Sequence, residues 1–332
     1  MKNEVKEVEG GATPRSVERW GDIVVRTLLD WFDAHGRPFP WRPIDEAGRL
    51  TLEMRHDPYV VMVSEVMLQQ TTAARVVEVL PRFLAEYPTL HALADASTGD
   101  VLRSWKGMGY NRRAMNLQRA AQRIRERHDG IVPRSYDELT ALPGIGPYTA
   151  GAILCFGYGL CIPLLDVNNI RVLSRLFHQC YDERAVLPID ALASTAAALL
   201  PDDAYRWNQA LMDFGALICT ARRPSCSICP VEEHCLTRRR LDEEPLFAAG
   251  SEGRVEPSIS GVARRFWRGR IIEELREAAE LTEAEIIRRV AGRMNADAEE
   301  VADAVRQLLE TLCDEGIIRP RTRGRKRWYR LG

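Results

Sequence analysis

Four cysteines stand close together in this chain, and they constrain its local fold more than any other feature. Cys219, Cys226, Cys229 and Cys235 form a C-x6-C-x2-C-x5-C run. A chain with 8 cysteines in 332 residues is too poor in cysteine for a disulfide scaffold, so the clustered thiolates indicate a metal centre. A tetrahedral zinc ion and an iron–sulfur cubane both take four thiolates, and the spacing leaves both open. The other cysteines stand in apolar contexts and are predicted to be core residues: Cys155, Cys161, Cys180 and Cys313.

Helical periodicity dominates the chain as far as about Leu217. Apolar residues recur at helical spacing within 16–32, and the helical runs from Tyr59 onward are broken where Pro or Gly occurs. Convincing alternation of apolar and polar residues is absent there, which predicts an all-α fold. The polar stretch 1–15 is predicted to be a disordered tail.

Composition excludes several classes of protein. At 45% hydrophobic residues the chain can bury a core, and 46 basic against 47 acidic residues leave a net charge of −1. Affinity for nucleic acid must therefore come from local basic patches. The charged start predicts no signal peptide, and no apolar window is long enough for a membrane span. We expect a soluble, cytoplasmic protein.

The sequence after the cysteines predicts a second domain. Residues 237–262 combine charge runs with Gly, Ser and Pro and are predicted to be a linker. In 263–332, three helical segments, a capping box at Thr282 and a stop at Gly316 precede a basic tail that is predicted to form a β-hairpin. Three helices and a basic hairpin resemble a winged-helix domain. Such a wing can contact nucleic acid or protein, and both remain open.

A glycine-rich turn is the second candidate site. Gly144 and Gly146 stand in the segment 142–150, where they permit a tight turn between two helices. The unpaired amides at the start of the second helix could bind a phosphate group. An ordinary turn between helices is the alternative.

Two acidic residues stand in apolar surroundings. Glu65 lies within 59–68, a helical stretch so apolar that a carboxyl group there needs a reason. Burial raises the pKa of a carboxyl, which is the state that a general acid needs. Asp166 follows the apolar residues 162–165 and either caps the helix that begins near Asn168 or acts in catalysis. The two acids together favour acid–base chemistry.

The motifs taken in order resemble a known family. From about Ser16 to Cys235 the chain resembles the helix-hairpin-helix DNA glycosylases that carry an iron–sulfur cluster, and among these the adenine glycosylases (MutY) most. The matching segments are 40–42, 64–71, 105–110, 142–150, 166–168, 207–213 and 219–235. The resemblance implies a two-lobed all-α fold, with a cluster lobe in 16–58 and 170–236 and a helical-barrel lobe in 59–169. It also implies a [4Fe–4S] cluster, rather than zinc, on the four cysteines.

The resemblance also implies roles for individual residues. The target nucleotide is flipped out of double-stranded DNA, Glu65 protonates the departing adenine, and Asp166 stabilises the oxocarbenium-like sugar. Tyr148 and Asn168 support this chemistry. The other implied contacts are Gln209 on the adenine, Gln69, Gln70 and Tyr110 as wedge residues, Trp41 and Arg42 lining the pocket, Gly144 and Gly146 in the hairpin, and Arg222 and Arg223 on phosphates. The implied enzyme is a monomer associated with the nucleoid.

Certain residues depart from the adenine-glycosylase pattern and leave alternatives open. Bifunctional relatives have a Lys where Tyr148 stands, so the resemblance implies a monofunctional enzyme without strand cleavage. Val167 replaces the usual Gly after the catalytic Asp, and the C-terminal residues do not resemble the usual 8-oxoguanine-recognition domain. Thr72 and Ala73 favour a second hypothesis, a glycosylase for T or U opposite G. A cluster-containing DNA-binding regulator is the third.

Overall fold

The computed structural model describes residues 15–43, 57–178, 189–241, 257–324 and 326–332. The helices are α1 (Arg15–His35), α2 (Pro58–Leu68), α3 (Ala73–Glu86), α4 (Leu90–Asp95), α5 (Thr98–Ser104), α6 (Arg112–Arg127), α7 (Tyr136–Thr140), α8 (Pro147–Ala152), α9 (Val167–Phe177), α10 (Ile189–Ala198), α11 (Ala204–Leu217), α12 (Leu236–Leu241), α13 (Arg264–Glu277), α14 (Glu283–Arg293) and α15 (Ala298–Asp314). The strands are β1 (Ser258–Ile259), β2 (Val262–Ala263), β3 (Leu281–Thr282), β4 (Ile318–Arg323) and β5 (Lys326–Leu331). The predicted all-α fold is confirmed, and within the described ranges strands occur only after residue 257.

The chain divides into two compact units. Of the described residues, the first unit contains 15–43, 57–62, 134–140, 145–178 and 189–241, and the second contains 63–133, 141–144, 257–324 and 326–332. The predicted lobe boundaries placed 59–62, 134–140 and 145–169 in the helical-barrel lobe, and they stay a prediction. The longest of these segments, 145–169, groups with the first unit. The physical reason is the side chain of Asn208 on α11, which bonds to the backbone of Ile162 and Leu164 and thereby ties this segment to α11.

The first unit is built on a core shared by α1, α9, α10 and α11. Helix α1 buries Val17, Val24, Leu28 and Phe32, which recur at the three- or four-residue spacing of one helix face. Val172 and Trp207 meet them from α9 and α11. The helix predicted for 16–32 is confirmed and extends to His35.

A buried carboxylate fastens the segment after α1 to α11. Asp213 is fully buried and accepts hydrogen bonds from Arg37 (2.6 Å to Nη2) and Arg42 (2.8 Å from Nη1 to Oδ2). The guanidinium of Arg42 also lies over the ring of Phe39 at 5.0 Å, and that ring stacks on Trp41 at 4.4 Å. Because both oxygens of the Asp213 carboxylate accept hydrogen bonds and its negative charge is paired with guanidinium groups, burial of this carboxylate is tolerated.

The second unit combines α3–α6 with the C-terminal winged-helix-like elements. Trp105 is fully buried and meets Phe83 edge to face at 5.8 Å. The three-stranded sheet has the order β3-β5-β4, and the β4–β5 hairpin forms the predicted wing. The capping box at Thr282 is present, since its side chain accepts from the Glu285 amide and the Glu285 carboxylate accepts from the Thr282 amide. Gly316, at φ +74°, follows the end of α15.

Three local expectations differ from the structure. The predicted linker 237–262 contains the end of α12 and the β1–β2 hairpin, while 242–256 lie outside the described residues, as does the predicted tail apart from Arg15. Cys161 is exposed rather than part of the core, because it lies in the irregular segment before Ile162. Cys155 is buried as predicted, and Cys180 lies outside the described residues. None of the helices in the described ranges combines the length and apolar character needed to cross a membrane.

The Asp213 ion pairs predict an acid-sensitive contribution to stability. Burial alone would raise the pKa of Asp213, but the hydrogen bonds and charges of Arg42 and Arg37 outweigh it and leave the pKa below its ordinary value. This stabilisation is present above the unfolded pKa and is lost as the pH falls through the folded pKa. Asp213→Asn should therefore lower the free energy of unfolding by about 3 kcal/mol at pH 7. The difference from wild type should shrink below about pH 4.

Urea unfolding of both proteins at a series of pH values measures this effect. Asp33→Asn is the matched control, because Asp33 pairs with Arg206 in the same unit but is 45% exposed. An exposed pair should contribute less than about 1 kcal/mol. Equal losses in the two variants would contradict the assignment.

Candidate active site

Asp166 stands at the N-terminus of α9, and its carboxylate is held by hydrogen bonds. Oδ1 accepts from the Asn169 amide at 2.7 Å, and Oδ2 accepts from Asn168 Nδ2 at 2.8 Å. Asp166 therefore caps the helix, which was one of its two predicted roles. Burial raises its pKa, although these hydrogen bonds and the charge of Arg171 act in the opposite direction. The result is a carboxyl group of fixed orientation with a pKa above its ordinary value.

The segment that leads to Asp166 is held by two amide side chains. Asn208 Oδ1 accepts from the Leu164 amide, and its Nδ2 donates to the carbonyl of Ile162, both at 2.9 Å. Asn169 Nδ2 donates to the carbonyl of Leu164, also at 2.9 Å. Asn208 and Asn169 are buried, so they fix the backbone before Asp166 without competition from solvent. Sequence reasoning gave neither residue a role, although their position beside the motif residues Gln209 and Asn168 was a usable signal.

Arg171 joins the Asp166 site to the cysteine loop. It donates to Asn168 Oδ1 at 2.8 Å, to the carbonyl of Gly215 at 2.6 Å and to the carbonyl of Cys219 at 2.8 Å. A Cβ atom on Gly215 would lie 2.8 Å from the Cβ atom of Asn168, so glycine is what allows α11 to approach α9 this closely. Asn168 in turn donates to Asp166. A continuous set of hydrogen bonds therefore runs from the first cysteine to the carboxylate.

The four candidate metal ligands occupy a loop of short 3-10 turns. Cys219, Cys229 and Cys235 pack against the core of the first unit, and the Cys226 thiol interacts electrostatically with those of Cys229 and Cys235. Burial, together with the neighbouring thiols, raises the pKa of Cys229 to about 12 and that of Cys235 to about 11. Thiols with raised pKa values need a positively charged centre to become thiolates, and an iron–sulfur cluster would supply one.

Arg175 holds the same loop from α9. It donates to the carbonyls of Thr220 (2.7 Å) and Ala221 (2.8 Å), and its Nη1 lies 3.5 Å from the Sγ of Cys219. Cys235 Sγ donates to the carbonyl of Arg175 at 3.5 Å. In the described ranges, no three His, Cys, Asp or Glu side chains lie close enough together to bind one metal ion. The support for the cluster is therefore the shared packing of the loop together with the family match reported below.

The other predicted residues of the first unit lie on α8, α11 and the nearby loops. Gln209 is buried on α11, one turn before Asp213. Trp41 is buried, and the guanidinium of Arg42 is committed to Asp213 and to the carbonyl of Arg37. The hydroxyl of half-buried Tyr148 lies 4.0 Å from the Sδ of Met212. Arg222 and Arg223 are exposed, and Val167 is 74% exposed as the first residue of α9, so its branched side chain is accommodated.

Glu65 belongs to the second unit and lies in the middle of α2. The helix is apolar around it, and Glu65 is only 6% exposed. A carboxyl group this deeply buried is costly to ionise without partners, and Glu65 does have an interaction within the protein. The predicted burial of this acid is therefore confirmed.

Arg113 holds the end of α2 and was not anticipated from the sequence. Its side chain is buried on α6 and points at the last carbonyls of α2 and at the loop before α6. The acceptors are the carbonyls of Val66 (2.9 Å), Met67 (2.8 Å), Gln69 and Met108 (3.0 Å), and the hydroxyl of Thr71 (2.8 Å). Burial lowers the pKa of Arg113 to about 10, which leaves it charged at neutral pH. Arg113 thus satisfies carbonyls that the end of a helix leaves without partners.

The three predicted wedge residues lie on the two segments that Arg113 contacts: Gln69 and Gln70 follow α2, and Tyr110 precedes α6. Gln70 and Tyr110 have positive φ angles (55° and 43°), a backbone conformation rare outside glycine. Gln69 Nε2 donates to the carbonyl of Gly144 at 3.3 Å. Tyr110 is 56% exposed, and the guanidinium of Arg113 lies 5.5 Å from its ring centroid. Arg113 therefore connects the segment after Glu65 with the loop that presents Tyr110.

Only one glycine of the hairpin is required by its backbone. Gly144 has φ +79°, and a Cβ atom there would lie 2.9 Å from the Cβ atom of Asn116. Gly146 has φ −90° and is the N-cap of α8, with no atom near the position of a Cβ. The tight turn therefore depends on Gly144, whereas a Cβ atom at position 146 would meet no atom.

Comparison with known proteins identifies the family. The model of the HhH-GPD superfamily of base excision DNA repair proteins matches residues 63–183, and the model of the iron–sulfur binding domain of endonuclease III matches residues 219–235. The adenine DNA glycosylase of Mycolicibacterium smegmatis is 38% identical over 258 residues, which are 76% of this chain and 80% of that protein. The chain belongs to the adenine DNA glycosylase family. It therefore carries the [4Fe–4S] loop on its four cysteines and is a DNA glycosylase that binds DNA.

Two further relatives show how far the similarity extends. The human adenine DNA glycosylase is 40% identical over 227 residues, which cover 68% of this chain and 41% of the human protein. A solved structure of a thermostable thymine-DNA glycosylase superposes with a TM-score of 0.60 at 28% identity, covering 68% of this chain and 99% of that one. The predicted glycosylase fold is confirmed by these matches.

The contacts of Arg113 predict a strong effect of a substitution that keeps the charge. Arg113→Lys retains a cation but cannot reach carbonyls on two segments at once, so some of them lose their donor. We expect the free energy of unfolding to fall by about 2 kcal/mol and DNA binding to weaken as the wedge segments lose their support. Arg119→Lys, on an exposed position of α6, is the control and should change stability by less than about 0.5 kcal/mol. Urea unfolding and a DNA-binding titration measure both effects, and an Arg113→Lys variant as stable as the control would refute this role.

Proposed function

We propose that this protein is a monofunctional adenine DNA glycosylase, which hydrolyses the N-glycosidic bond of a flipped-out adenine in mispaired or damaged DNA. The observation that carries the proposal is the carboxyl group of Asp166, half-buried and held by Asn168 and the Asn169 amide. A carboxylate fixed in this way can face a cationic sugar without rotating away from it. The buried acid Glu65 and the adenine DNA glycosylase relatives support the same reaction.

The proposed chemistry divides between the two acids. Glu65, in its protonated form, donates its proton to the adenine as the bond from C1′ to N9 breaks and the bonding electrons leave with the base. Asp166, in its ionised form, stabilises the positive charge that develops on the sugar. Water then adds to C1′ and its proton passes to a carboxylate. The products are free adenine and an abasic site.

The remaining residues have positioning roles in this proposal. Asn168 orients Asp166, and Arg171 orients Asn168 while it binds the carbonyl of Cys219. When the [4Fe–4S] cluster is bound to its four cysteines, it supplies the crosslink that orders the loop carrying Arg222 and Arg223. Those two exposed arginines can then contact backbone phosphates. Gln209 is proposed to read the adenine, and Gln69, Gln70 and Tyr110 to fill the space that it leaves.

A panel of duplexes tests the substrate and the catalytic pair together. Under single-turnover conditions, we expect release of A opposite 8-oxoguanine, G or C, and no release of T or U opposite G. Glu65→Gln and Asp166→Asn should each lower the rate constant by at least about 100-fold, because each removes a proton donor or a charge. Absence of adenine release from every duplex would overturn the proposal.

Asp166→Asn should lose activity without losing stability. The raised pKa of Asp166 means that ionisation opposes folding, so its neutral form is the more stable one and wild type loses this advantage as the pH rises through the folded pKa. An asparagine keeps an oxygen that can cap α9. Thermal unfolding at pH 7 should therefore show a Tm equal to or above that of wild type. A lower Tm would mean that the loss of base release reflects damage to the fold.

The residue at position 148 predicts the absence of strand cleavage. A lyase forms a Schiff base between a lysine amine and C1′, and Tyr148 has no amine. We expect abasic DNA to stay intact until alkali is added, and borohydride to trap no covalent complex. Lys106→Gln is the control variant, because Lys106 in the segment 105–110 is the lysine that could form such a Schiff base by chance. A borohydride-trapped complex with wild type would contradict the monofunctional assignment.

Excision of T or U opposite G is the second candidate function. The observations that favour it are Thr72 and Ala73, the N-cap and the first residue of α3, and the similarity to the thymine-DNA glycosylase structure. The same panel distinguishes the two candidates, because release confined to T or U opposite G would replace adenine as the substrate.

A further inference from the structure

A large basic groove lies within the second unit and is lined from two sides. Its volume is about 1680 Å³. One side consists of the wedge residues Gln69, Gln70 and Tyr110 with the start of α6, and the other consists of the first half of α13. The groove thus begins at the residues proposed to enter the DNA stack and continues onto the winged-helix-like elements.

The α13 side of the groove is positively charged. Arg264, Arg265, Arg268 and Arg270 lie on the groove within the first two turns of α13, and Phe266 between them is 55% exposed. Among the described residues, Arg264 and Arg270 have no ion pair. Arg268 is neutralised by Glu315 through two hydrogen bonds of 2.9 and 2.6 Å. This arrangement leaves the groove strongly positive, although the net charge of the whole chain is −1.

Two acidic residues line the groove, Glu273 and Glu315, and both form ion pairs with basic residues. Glu315 binds Arg268, and Glu273 binds Lys106 at 2.7 Å and Arg276 at 2.9 Å. Arg276 also donates to the carbonyl of Leu102 (3.0 Å) and to Asn111 Oδ1 (2.7 Å), on the segments that precede and follow the Lys106–Tyr110 loop. These contacts fix α13 beside the wedge loop. The positive face of α13 is therefore held at a defined position relative to Tyr110.

We propose that the first half of α13 is a binding surface for the phosphate backbone of the duplex on which the wedge residues act. Charge complementarity identifies the occupant. Arg264 and Arg270, which have no ion pair among the described residues, lie on the same groove as the residues proposed to enter the base stack, so they fit the backbone of the same DNA. The surface is distinct from the β4–β5 wing, where sequence reasoning placed the possible nucleic-acid contact. The winged-helix-like elements would thus extend the DNA footprint through a helix rather than through the wing.

The inference rests on the proposed function only in taking duplex DNA as the substrate. Binding is therefore measured in a Glu65→Gln background, where base release plays no part. Arg264→Gln/Arg270→Gln tests the groove, and Arg319→Gln/Arg330→Gln is the matched control. Arg319 and Arg330 are exposed partners across the wing, so the control removes the same charge from the same unit.

The full-length protein is titrated with a fluorescent duplex containing an A·8-oxoguanine pair at several salt concentrations. The groove variant should bind about tenfold more weakly at 0.15 M salt, and its slope of log K against log salt should be lower by roughly 1.8, the value for two lost phosphate contacts. The wing variant should bind within twofold of the parent, with the same slope. Equal losses in both variants, or a loss only in the wing variant, would overturn the proposal.

Two further readouts keep the outcomes separate. Circular dichroism and the Tm of each variant establish that the second unit is folded, and Arg264→Lys/Arg270→Lys should restore binding because it restores the charge. Failure of this rescue would overturn a phosphate-binding role. If wild type releases no base but the groove variant still binds weakly, the proposed function fails and this inference stands. If wild type releases adenine and the groove variant binds like its parent, the inference alone fails.

Discussion

The second unit depends on one buried cation, the guanidinium of Arg113. A helix leaves its last carbonyls without partners, and near the end of α2 the residues Val66 and Met67 are buried, so water has little access to their carbonyls. Arg113 supplies them from α6 and also binds the Met108 carbonyl, so the end of α2 and the Tyr110 loop share one fixed charge. The position of Glu65 within α2 and the left-handed backbone of Gln70 and Tyr110 both rely on it.

The first unit uses the same kind of interaction to hold its acid. Arg171 and Arg175 leave α9 one turn apart, and both bind carbonyls of the cysteine loop. Arg171 also binds Asn168, which donates to Asp166. Order in the loop is thereby transmitted to the carboxylate. The closeness of Gly215 to Asn168 leaves little room for this set of contacts to change.

The fold and the chemical groups were predictable from local sequence, whereas the supporting contacts were not. Helical spacing predicted α1, the Thr282 capping box predicted the start of α14, and the cysteine run predicted the metal loop. Asn208 and Arg113 bond to backbone more than 40 residues away. No local pattern indicates such a partner. A polar residue in the middle of a helix looks the same in the sequence whether its side chain faces solvent or bonds to a buried carbonyl. The exposure of Cys161 was missed for the same reason.

The residue types that the proposed chemistry needs are recognisable in the linear sequence: two acids in apolar segments, four thiols, a glycine turn and a tyrosine in place of a lysine. They are recognisable because each is a property of a short segment. Which charges are paired and which remain available depends on the packing of the folded chain. Arg42 is buried against Asp213 and Arg268 is paired with Glu315, while Arg264 and Arg270 face the groove beside Tyr110. Pairing depends on which side chains the packed helices bring within a few ångströms, so the functional use of an arginine is settled by packing rather than by its position in the chain.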